Sequence, residues 1–417
     1  MRALLPVSAL LISVAILLAG NGLQGVLLPV RAGLEHFSEL HIGLIASCYY
    51  AGFAVGCVLG PKLVKKVGHI RAFSAMTAAA AVAPLIHGLT VLPIAWFVFR
   101  GLSGFCFAVL YIVIESWLNE RSTKESRGLV LAAYMVINLT LTTAGQMLLP
   151  IYDPAEMALF AIVAILVSLA AIPIAVTGNI APAPIASTKL VLKKLYDVSP
   201  VGVLGCCAVG FANSAFWALG PMFASTNKLD TTGIALFMSA TVIGGALGQW
   251  PLGYLSDRID RRKVIILAAS LSVTASAMLV VRPLGTDMGL FLMAGVWGAA
   301  AFPLYSLTIA HANDFAEPEE FVQVSSGLLL VYSGGAVLGP IVASAMVGMF
   351  GFEYLYVYPA IVYGALIIFV YWRMLTRAPS PPEAQVAFTD ALQSTKTVSS
   401  VFDQAIQERL EEETRQL

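Results

Sequence analysis

The stretch GYLSDRIDRRK, residues 253–263, holds six charged side chains in eleven positions. Only 12% of the 417 residues are charged, whereas 59% are hydrophobic. A shift of the sequence against itself by 192 residues places this stretch opposite PKLVKKVGHIR, residues 61–71, which is a second cluster of charges. Two such clusters at one offset in so apolar a chain indicate an internally duplicated membrane protein.

The same offset also aligns residues in the apolar segments that precede the two clusters. One offset that holds over two successive segments and the loop after them predicts a duplication of six segments plus six. Glycines in such segments are expected at close contacts between helices, because small residues let the backbones approach. The aligned pairs are Asn21 with Asn213, Pro29 with Pro221, Gly52 with Gly244 and Gly56 with Gly248.

Twelve apolar segments are each close to the roughly 20 residues that an α-helix needs to cross a bilayer. The predicted fold class is an all-α membrane protein, with twelve transmembrane helices arranged as two six-helix, pseudo-symmetric bundles around a central cavity. The first segment is too long for a signal peptide, and no small-residue cleavage site follows it. The segments are residues 4–28, 42–64, 72–91, 94–118, 129–149, 157–177, 201–223, 234–255, 264–281, 289–310, 324–350 and 354–372.

This pattern predicts four regions. They are a first bundle (1–177), a linker between the bundles (178–198), a second bundle (199–373) and a tail (374–417). The linker contains prolines and lysines, and the tail begins rich in proline, which is typical of connections without a packed core. We expect a solvated tail, with a partner-binding helix as the alternative.

The zero net charge conceals a strong asymmetry. Twenty of the 24 lysines and arginines fall at the two chain ends or in loops that would share one side of the membrane with them. The positive-inside rule therefore predicts that both termini, the linker and the tail are cytoplasmic. Because these basic groups lie in short loops beside apolar segments, they indicate contact with a lipid bilayer and not with nucleic acid.

Catalytic and cofactor motifs are missing from the sequence. The five cysteines fall inside the apolar segments without CxxC spacing, so we predict neither a disulfide nor a metal site. No histidine pairs with a nucleophile, and no GxxxxGK[ST] phosphate loop is present. We therefore expect a protein that is not an enzyme, uses no cofactor and is not driven directly by ATP.

GYLSDRIDRRK resembles the loop signature of the major facilitator superfamily, which has a glycine, then Asp-Arg four residues on, then basic residues. RGLSGFCFA (100–108) is similar to the Arg-x-x-x-Gly element of the family's fourth helix. ESWLNERSTKESRGLVLAAYM (115–135) and GQWPLGYLSDR (248–258) resemble a little-characterised bacterial branch of YcaD type. The resemblance covers about residues 5–375 and implies a monomeric secondary transporter in the bacterial inner membrane.

Two departures from the family pattern stand out. The first loop has Lys65 in the place of the aspartate and Pro61 in the place of the glycine. The Gly-Pro element that many exporters carry in the fifth helix is reduced to Gly145-Gln146, and a better match, GGAVLGPIVA (334–343), lies in the eleventh. These departures weaken any prediction of drug export.

The fourth segment contains two ionisable side chains, Arg100 and Glu115. They lie 15 residues apart, which is about 60° around a helix and about 22 Å along it, with Tyr111 near the same face. Ionisable groups inside a membrane are costly and usually functional. Arg100 could hold an anionic group of the solute or order the first helix, and Glu115 could carry a proton or form a structural ion pair with Arg71 or Arg127.

Amides, phenols and an indole near mid-membrane suit hydrogen bonding to a polar organic solute. The alternative for each is a hydrogen bond between helices. The predicted solute-binding residues are Asn21, Gln24, Arg100, Tyr111, Asn138, Gln146, Asn213, Trp217 and Tyr305.

The resemblance places each signature loop against the cytoplasmic start of a helix in the other half, the fifth for the second loop and the eleventh for the first. Each loop residue and the helix start that it would meet carry opposite charges. Asp257 would meet the basic stretch NERSTKESR (119–127), and Lys65 would meet the acidic stretch NDFAEPEEF (313–321). We predict a cytoplasmic latch that closes in the outward-open state. Its residues are Lys65, Lys66, Arg71, Arg127, Asp257, Arg258, Arg261, Arg262, Glu317, Glu319 and Glu320.

The predicted function is therefore membrane transport of a small organic solute by alternating access, coupled to protons, with efflux and uptake both open. An uncoupled facilitator is one alternative. A membrane sensor that keeps the fold without transport is another.

Overall fold

The computed structural model describes residues 7–121, 127–176, 192–282, 285–317 and 320–379, together with Gln385 and Phe388. These residues include twelve helices long and apolar enough to cross a membrane, as predicted. We number them spans 1 to 12. They are Ser8–Leu34, Glu39–Val67, His69–Leu89, Pro93–Leu118, Gly128–Ile151, Ala158–Val176, Pro200–Thr226, Thr231–Ser256, Arg261–Val281, Asp287–Asn313, Gln323–Phe350 and Tyr354–Thr376.

Three of the described spans are interrupted. The α-helix of span 5 ends at Gln146 and is followed by a short 3₁₀ helix, Leu149–Ile151. Span 6 divides into Ala158–Leu169 and Ala171–Val176, and span 10 divides into Asp287–Ala301 and Pro303–Asn313. Pro303 begins the second helix of span 10, where its missing N–H costs nothing. A short helix, Leu192–Val198, lies within the predicted linker, whose earlier part falls outside the described residues.

The duplication is visible in the packing of the small residues. A side-chain carbon at Gly52 of span 2 would overlap the carbonyl oxygen of Gly101 in span 4. A side-chain carbon at Gly244 of span 8 would likewise overlap the carbonyl oxygen of Gly295 in span 10. The aligned glycines therefore bring the same pair of helices together in each half, as expected for small residues between membrane helices.

Because the number of spans is even, both chain ends lie on one face of the bundle. We call this side the basic face, since it also carries the loops between spans 2 and 3, 4 and 5, 8 and 9, and 10 and 11. The other side is called the opposite face. Around the belt between them, large apolar side chains such as Leu247, Trp250 and Ile368 are more than two-thirds exposed, which suits contact with lipid.

The two halves pack through spans 2 and 11, spans 5 and 8, and spans 1 and 7. Near the opposite face, Gly43 of span 2 lies directly against Pro340 and Ser344 of span 11. At the same level the Ser239 hydroxyl of span 8 donates a hydrogen bond of 3.3 Å to the Gln146 side-chain oxygen of span 5. The halves are therefore closed against each other at the opposite face.

Candidate functional site

Arg100 lies about two turns inside span 4 from the opposite face. Its guanidinium carbon stands 4.3 Å from the centre of the Tyr49 ring, a cation–π contact. One terminal nitrogen is buried without a hydrogen-bond partner, and no carboxylate of the described chain lies within ion-pair distance. The side chain lines a small cavity with Leu28, Ile42 and Trp217, between spans 1, 2, 4 and 7. Arg100 is thus a partly buried cation, with one terminal nitrogen fully buried, that faces a cavity and has no counter-ion among the described residues.

A chain of aromatic rings connects Arg100 with the middle of span 4. The Tyr49 ring lies 6.3 Å from that of Phe53, which lies 6.2 Å from that of Tyr111. Tyr50 packs edge-on against Tyr49 at 5.6 Å. These rings give the interior a polarisable wall with hydroxyl groups, which suits contact with an organic solute.

Glu115 follows Tyr111 by one helical turn and is 5% exposed. It lies within electrostatic range of Tyr111, of Tyr134 in span 5, of Tyr305 in span 10 and of Cys57 in span 2. These neighbours come from both halves. Glu115 is therefore a buried carboxyl with tyrosines from both halves within electrostatic range.

Tyr305 is the neighbour that the second half supplies. Its ring lies 4.9 Å from that of Tyr332 in span 11. Its hydroxyl oxygen is buried and finds no hydrogen-bond partner in the described part of the chain. A buried hydroxyl without a partner is costly, so it is available to a solute or to water.

Two of the predicted solute-binding amides instead form hydrogen bonds between helices. Gln146 is 1% exposed and accepts the bond from Ser239, so it belongs to the contact between the halves. Asn213 accepts a bond of 3.0 Å from the Tyr363 hydroxyl inside the second half. For both, the structure favours the alternative of helix-to-helix bonding, because inside a membrane another helix is the available partner.

The other predicted positions fall in several environments. Asn21 is partly exposed in span 1, and Gln24 is buried with its amide nitrogen unbonded among the described residues. Trp217 lies beside the Arg100 cavity, and Asn138 hydrogen-bonds Tyr134 beside Glu115. Trp217 thus lies near Arg100, and Asn138 lies near Glu115.

The described contacts of the second signature loop lie within its own half. Arg261 is 1% exposed, and its Nε lies 3.0 Å from an oxygen of Asp314, which follows span 10. Arg261, one of the predicted gate residues, therefore forms a buried ion pair within the second half. Asp257 lies 3.6 Å from Arg261 and accepts a hydrogen bond of 2.9 Å from the backbone N–H of Phe388 in the tail.

Arg262 is also structural. Its guanidinium binds Asp260 at 2.7 Å and donates to the Arg377 carbonyl oxygen at 2.7 Å. Burial alone would raise the pKa of Asp260, but the hydrogen bonds from Arg262 hold the pKa below its ordinary value. Arg258 remains on the surface and stacks on Tyr254 at 3.9 Å.

The first signature loop differs from the second, because its basic side chains are exposed. Lys65, Lys66 and Arg71 are exposed, and within the described chain none forms an ion pair. Of the predicted acidic partners, Glu317 is exposed and Glu320 is partly exposed. Glu319 and the side chain of Arg127 lie outside the described residues, so the latch remains a prediction.

Several aromatic residues of the site were not predicted from the sequence, namely Tyr49, Tyr50, Tyr134 and Tyr332. One signal was available, because tyrosines in membrane helices usually concentrate near the interfaces, and these fall well inside their spans. No group of metal-ligating side chains occurs within the described ranges.

Comparison with known proteins shows the family. The model of the Major Facilitator Superfamily matches residues 10–223 and again residues 202–406. The chain is 29% identical over 376 residues to the uncharacterized MFS-type transporter YcaD of Shigella flexneri, covering 89% of this chain and 95% of the relative. The YcaD protein of Escherichia coli O17:K52:H18 matches at the same identity and coverage.

Solved transporter structures share the fold. The nucleoside transporter NupG aligns at a TM-score of 0.73 with 15% identity, covering 90% of this chain and 99% of NupG. A bacterial homologue of the human lysosomal transporter Spinster, inward-facing and occupied, aligns at 0.69 with 14% identity, covering 94% and 97%. Together with the twelve spans in two similar halves, these matches establish that the chain belongs to the Major Facilitator Superfamily of membrane transporters, in its YcaD-type branch.

Proposed function

We propose that this protein moves a small organic anion across the bacterial inner membrane by alternating access, and that Glu115 couples the movement to protons. Its basic face would be cytoplasmic, because twenty of the 24 lysines and arginines belong to that side. The observation that carries the proposal is Arg100, a partly buried cation with one fully buried terminal nitrogen, which faces a cavity and has no counter-ion among the described residues.

The argument for an anion follows from the cost of that charge. A buried charge is stable when it is paired and hydrogen-bonded, and a guanidinium binds carboxylates through two parallel bonds. Tyr49 stabilises one side of the guanidinium, and the buried nitrogen without a partner leaves a donor free for a ligand. Trp217 and Leu28 beside it would contact the apolar part of such a solute.

Binding can be tested with matched carboxylates and carboxamides, for example benzoate against benzamide, in a thermal-stability assay. A carboxylate should raise the melting temperature while its amide does not. Arg100→Gln should weaken binding about 10- to 100-fold, because a hydrogen bond to a charged group contributes roughly 1.5–3 kcal/mol. Arg282→Gln, an exposed arginine near the opposite face, is the control. An amide that stabilises equally well, or a panel without a stabilising anion, contradicts the proposal.

The coupling role rests on the burial of Glu115 among groups from both halves. A carboxyl in such surroundings can change its protonation as the halves move, because its solvation and neighbours change with them. Glu115→Gln removes the proton site while it keeps the shape of the side chain.

Transport in proteoliposomes with an imposed pH gradient tests this role. Glu115→Gln should abolish gradient-driven accumulation of the stabilising carboxylate and preserve its downhill exchange. Glu120→Gln, five residues further on and exposed, is the matched control. Flux that ignores both the gradient and the substitution would support the uncoupled facilitator, and a protein without any flux would support the sensor.

A further inference from the structure

The tail is attached to the signature loop of the second half. Phe388 is 3% exposed, and its ring lies on Gly253 of span 8, where any side-chain carbon would overlap it. Its backbone N–H donates a hydrogen bond of 2.9 Å to the Asp257 carboxylate. The basic-face end of span 8 thus forms a seat, made by Gly253 and Asp257, for one aromatic residue of the tail.

The seat lies on the side of span 8 that is directed toward the first half. Ser239 marks that side, because it donates the hydrogen bond to Gln146 of span 5 near the opposite face. Gly253 lies 14 residues after Ser239, which at about 100° per residue places it about 40° around the helix from Ser239. Asp257 lies 18 residues after Ser239 and is directly in line with it. One stripe of span 8 therefore carries both the contact with span 5 and the seat of Phe388.

The base of the tail is fixed to the second half as well. Arg377 donates to the Val198 carbonyl oxygen at 3.1 Å and stacks on the Phe315 ring at 4.3 Å. Its own carbonyl oxygen accepts from Arg262. Ten residues lie between Arg377 and Phe388, so the two positions can be at most about 40 Å apart. Both of them contact the second half.

These placements have a mechanical consequence if the two halves alternate. Opening of the opposite face separates spans 5 and 8 there, and the same movement brings their basic-face ends together. Phe388 occupies the stripe of span 8 that would then meet span 5. We infer that Phe388 is a removable wedge, which holds the basic face open and must leave its seat before that face can close. The inference rests on the alternating access proposed above but not on the identity of the solute.

Spin-label distance measurements test the wedge without any solute. Labels at Arg71→Cys and Lys263→Cys, both exposed on the basic face, report the separation of the halves once the five native cysteines are replaced. Phe388→Ala should raise the ratio of the short-distance to the long-distance population about tenfold, because the ring no longer fills its seat. Phe402→Ala, the same change elsewhere in the tail, should leave the ratio unchanged.

A second variant tests the seat from the other side. Gly253→Ala should expel the ring without altering the tail and should shift the distances in the same direction. Combined with Phe388→Ala it should add nothing, since both substitutions break one contact. A distribution that is unchanged by Phe388→Ala, or that moves equally with Phe402→Ala, overturns the wedge. Failure of anion binding would leave these distances unaffected, so the two proposals fail separately.

Discussion

The two signature loops occupy equivalent places in the duplicated chain, yet they are built in different ways. At the start of span 3, Gly68 has a φ of 86° and provides no side-chain cap. At the equivalent place before span 9, Asp260 caps the helix by accepting the Arg262 N–H at 3.0 Å. The first helix start depends on the backbone freedom of glycine, and the second depends on a carboxylate.

The next position shows the same contrast. His69 is 2% exposed and hydrogen-bonds the Ser116 hydroxyl of span 4 at 3.1 Å. Arg261, 192 residues later, is as buried but forms an ion pair with Asp314. Each side chain ties its helix to the end of the next span of its own half, one through neutral groups and the other through charges. The two loops therefore share a buried contact at the equivalent position, which is a neutral hydrogen bond in the first half and an ion pair in the second.

The largest expected effect comes from breaking the charged anchor alone. Asp314→Ala removes the nearer and more buried of the two carboxylates that contact the buried Arg261 and should destabilise the protein by about 3–5 kcal/mol. Ser116→Ala breaks the neutral anchor and should cost only about 1 kcal/mol. Thermal unfolding in detergent measures both. The pair Arg261→Met with Asp314→Leu should recover most of the loss, and equal losses from Asp314→Ala and Ser116→Ala would contradict the comparison.

A smaller effect is expected at the helix cap. Asp260→Ala should lower the free energy of unfolding by about 2–3 kcal/mol, because it removes both an N-cap and a carboxylate that hydrogen-bonds the buried Arg262 guanidinium. Because the pKa of Asp260 is lower in the folded protein, its stabilising contribution is complete above the ordinary pKa and is lost as the pH falls through the folded value. Asp260→Asn keeps the cap, so its melting temperature should show less dependence on acid. An identical acid dependence in both proteins would contradict this assignment.

The smallest effect is expected at the first signature loop. Lys65→Glu should weaken the predicted latch and shift the protein by about 0–1 kcal/mol toward the state that is open on the basic face. Adding Glu319→Lys should reverse the shift, whereas Lys62→Glu serves as the control. The labelling rates of Cys57 and Cys207, both partly exposed, report the change. Labelling rates that do not change with Lys65→Glu would contradict the predicted latch.

Much of the fold could be predicted from the sequence because lipid imposes length and apolarity on each span. All twelve spans occur where the apolar segments predict them, although span 2 extends to Glu39 and Val67 and span 12 extends to Thr376. Charged residues at these ends escape a hydropathy window, since their side chains reach water while the backbone stays helical. The pairing of glycines also followed from the repeat alone.

The site was only partly predictable. Arg100, Tyr111 and Glu115 lie on one helix, and the helical period alone predicts that they are close to one face of it. Whether the rings of Tyr49 and Tyr332 face the site depends on how spans 2 and 11 are oriented about their own axes. The seat of Phe388 depends on a tail without periodicity, and the partners of Gln146 and Asn213 depend on which helix lies opposite. These side-chain contacts between helices could therefore not be predicted from the sequence.

The closure at the opposite face has a consequence for how the transporter responds to its medium. Gly43 against Pro340 and Ser344 is a contact of backbone and small groups, and the bond from Ser239 to Gln146 is between neutral side chains. The predicted latch at the basic face joins exposed charges, which dissolved ions screen over about 10 Å at 0.1 M. Ionic strength would therefore weaken one closure and leave the other intact, so that added salt alone favours the conformation open to the basic face.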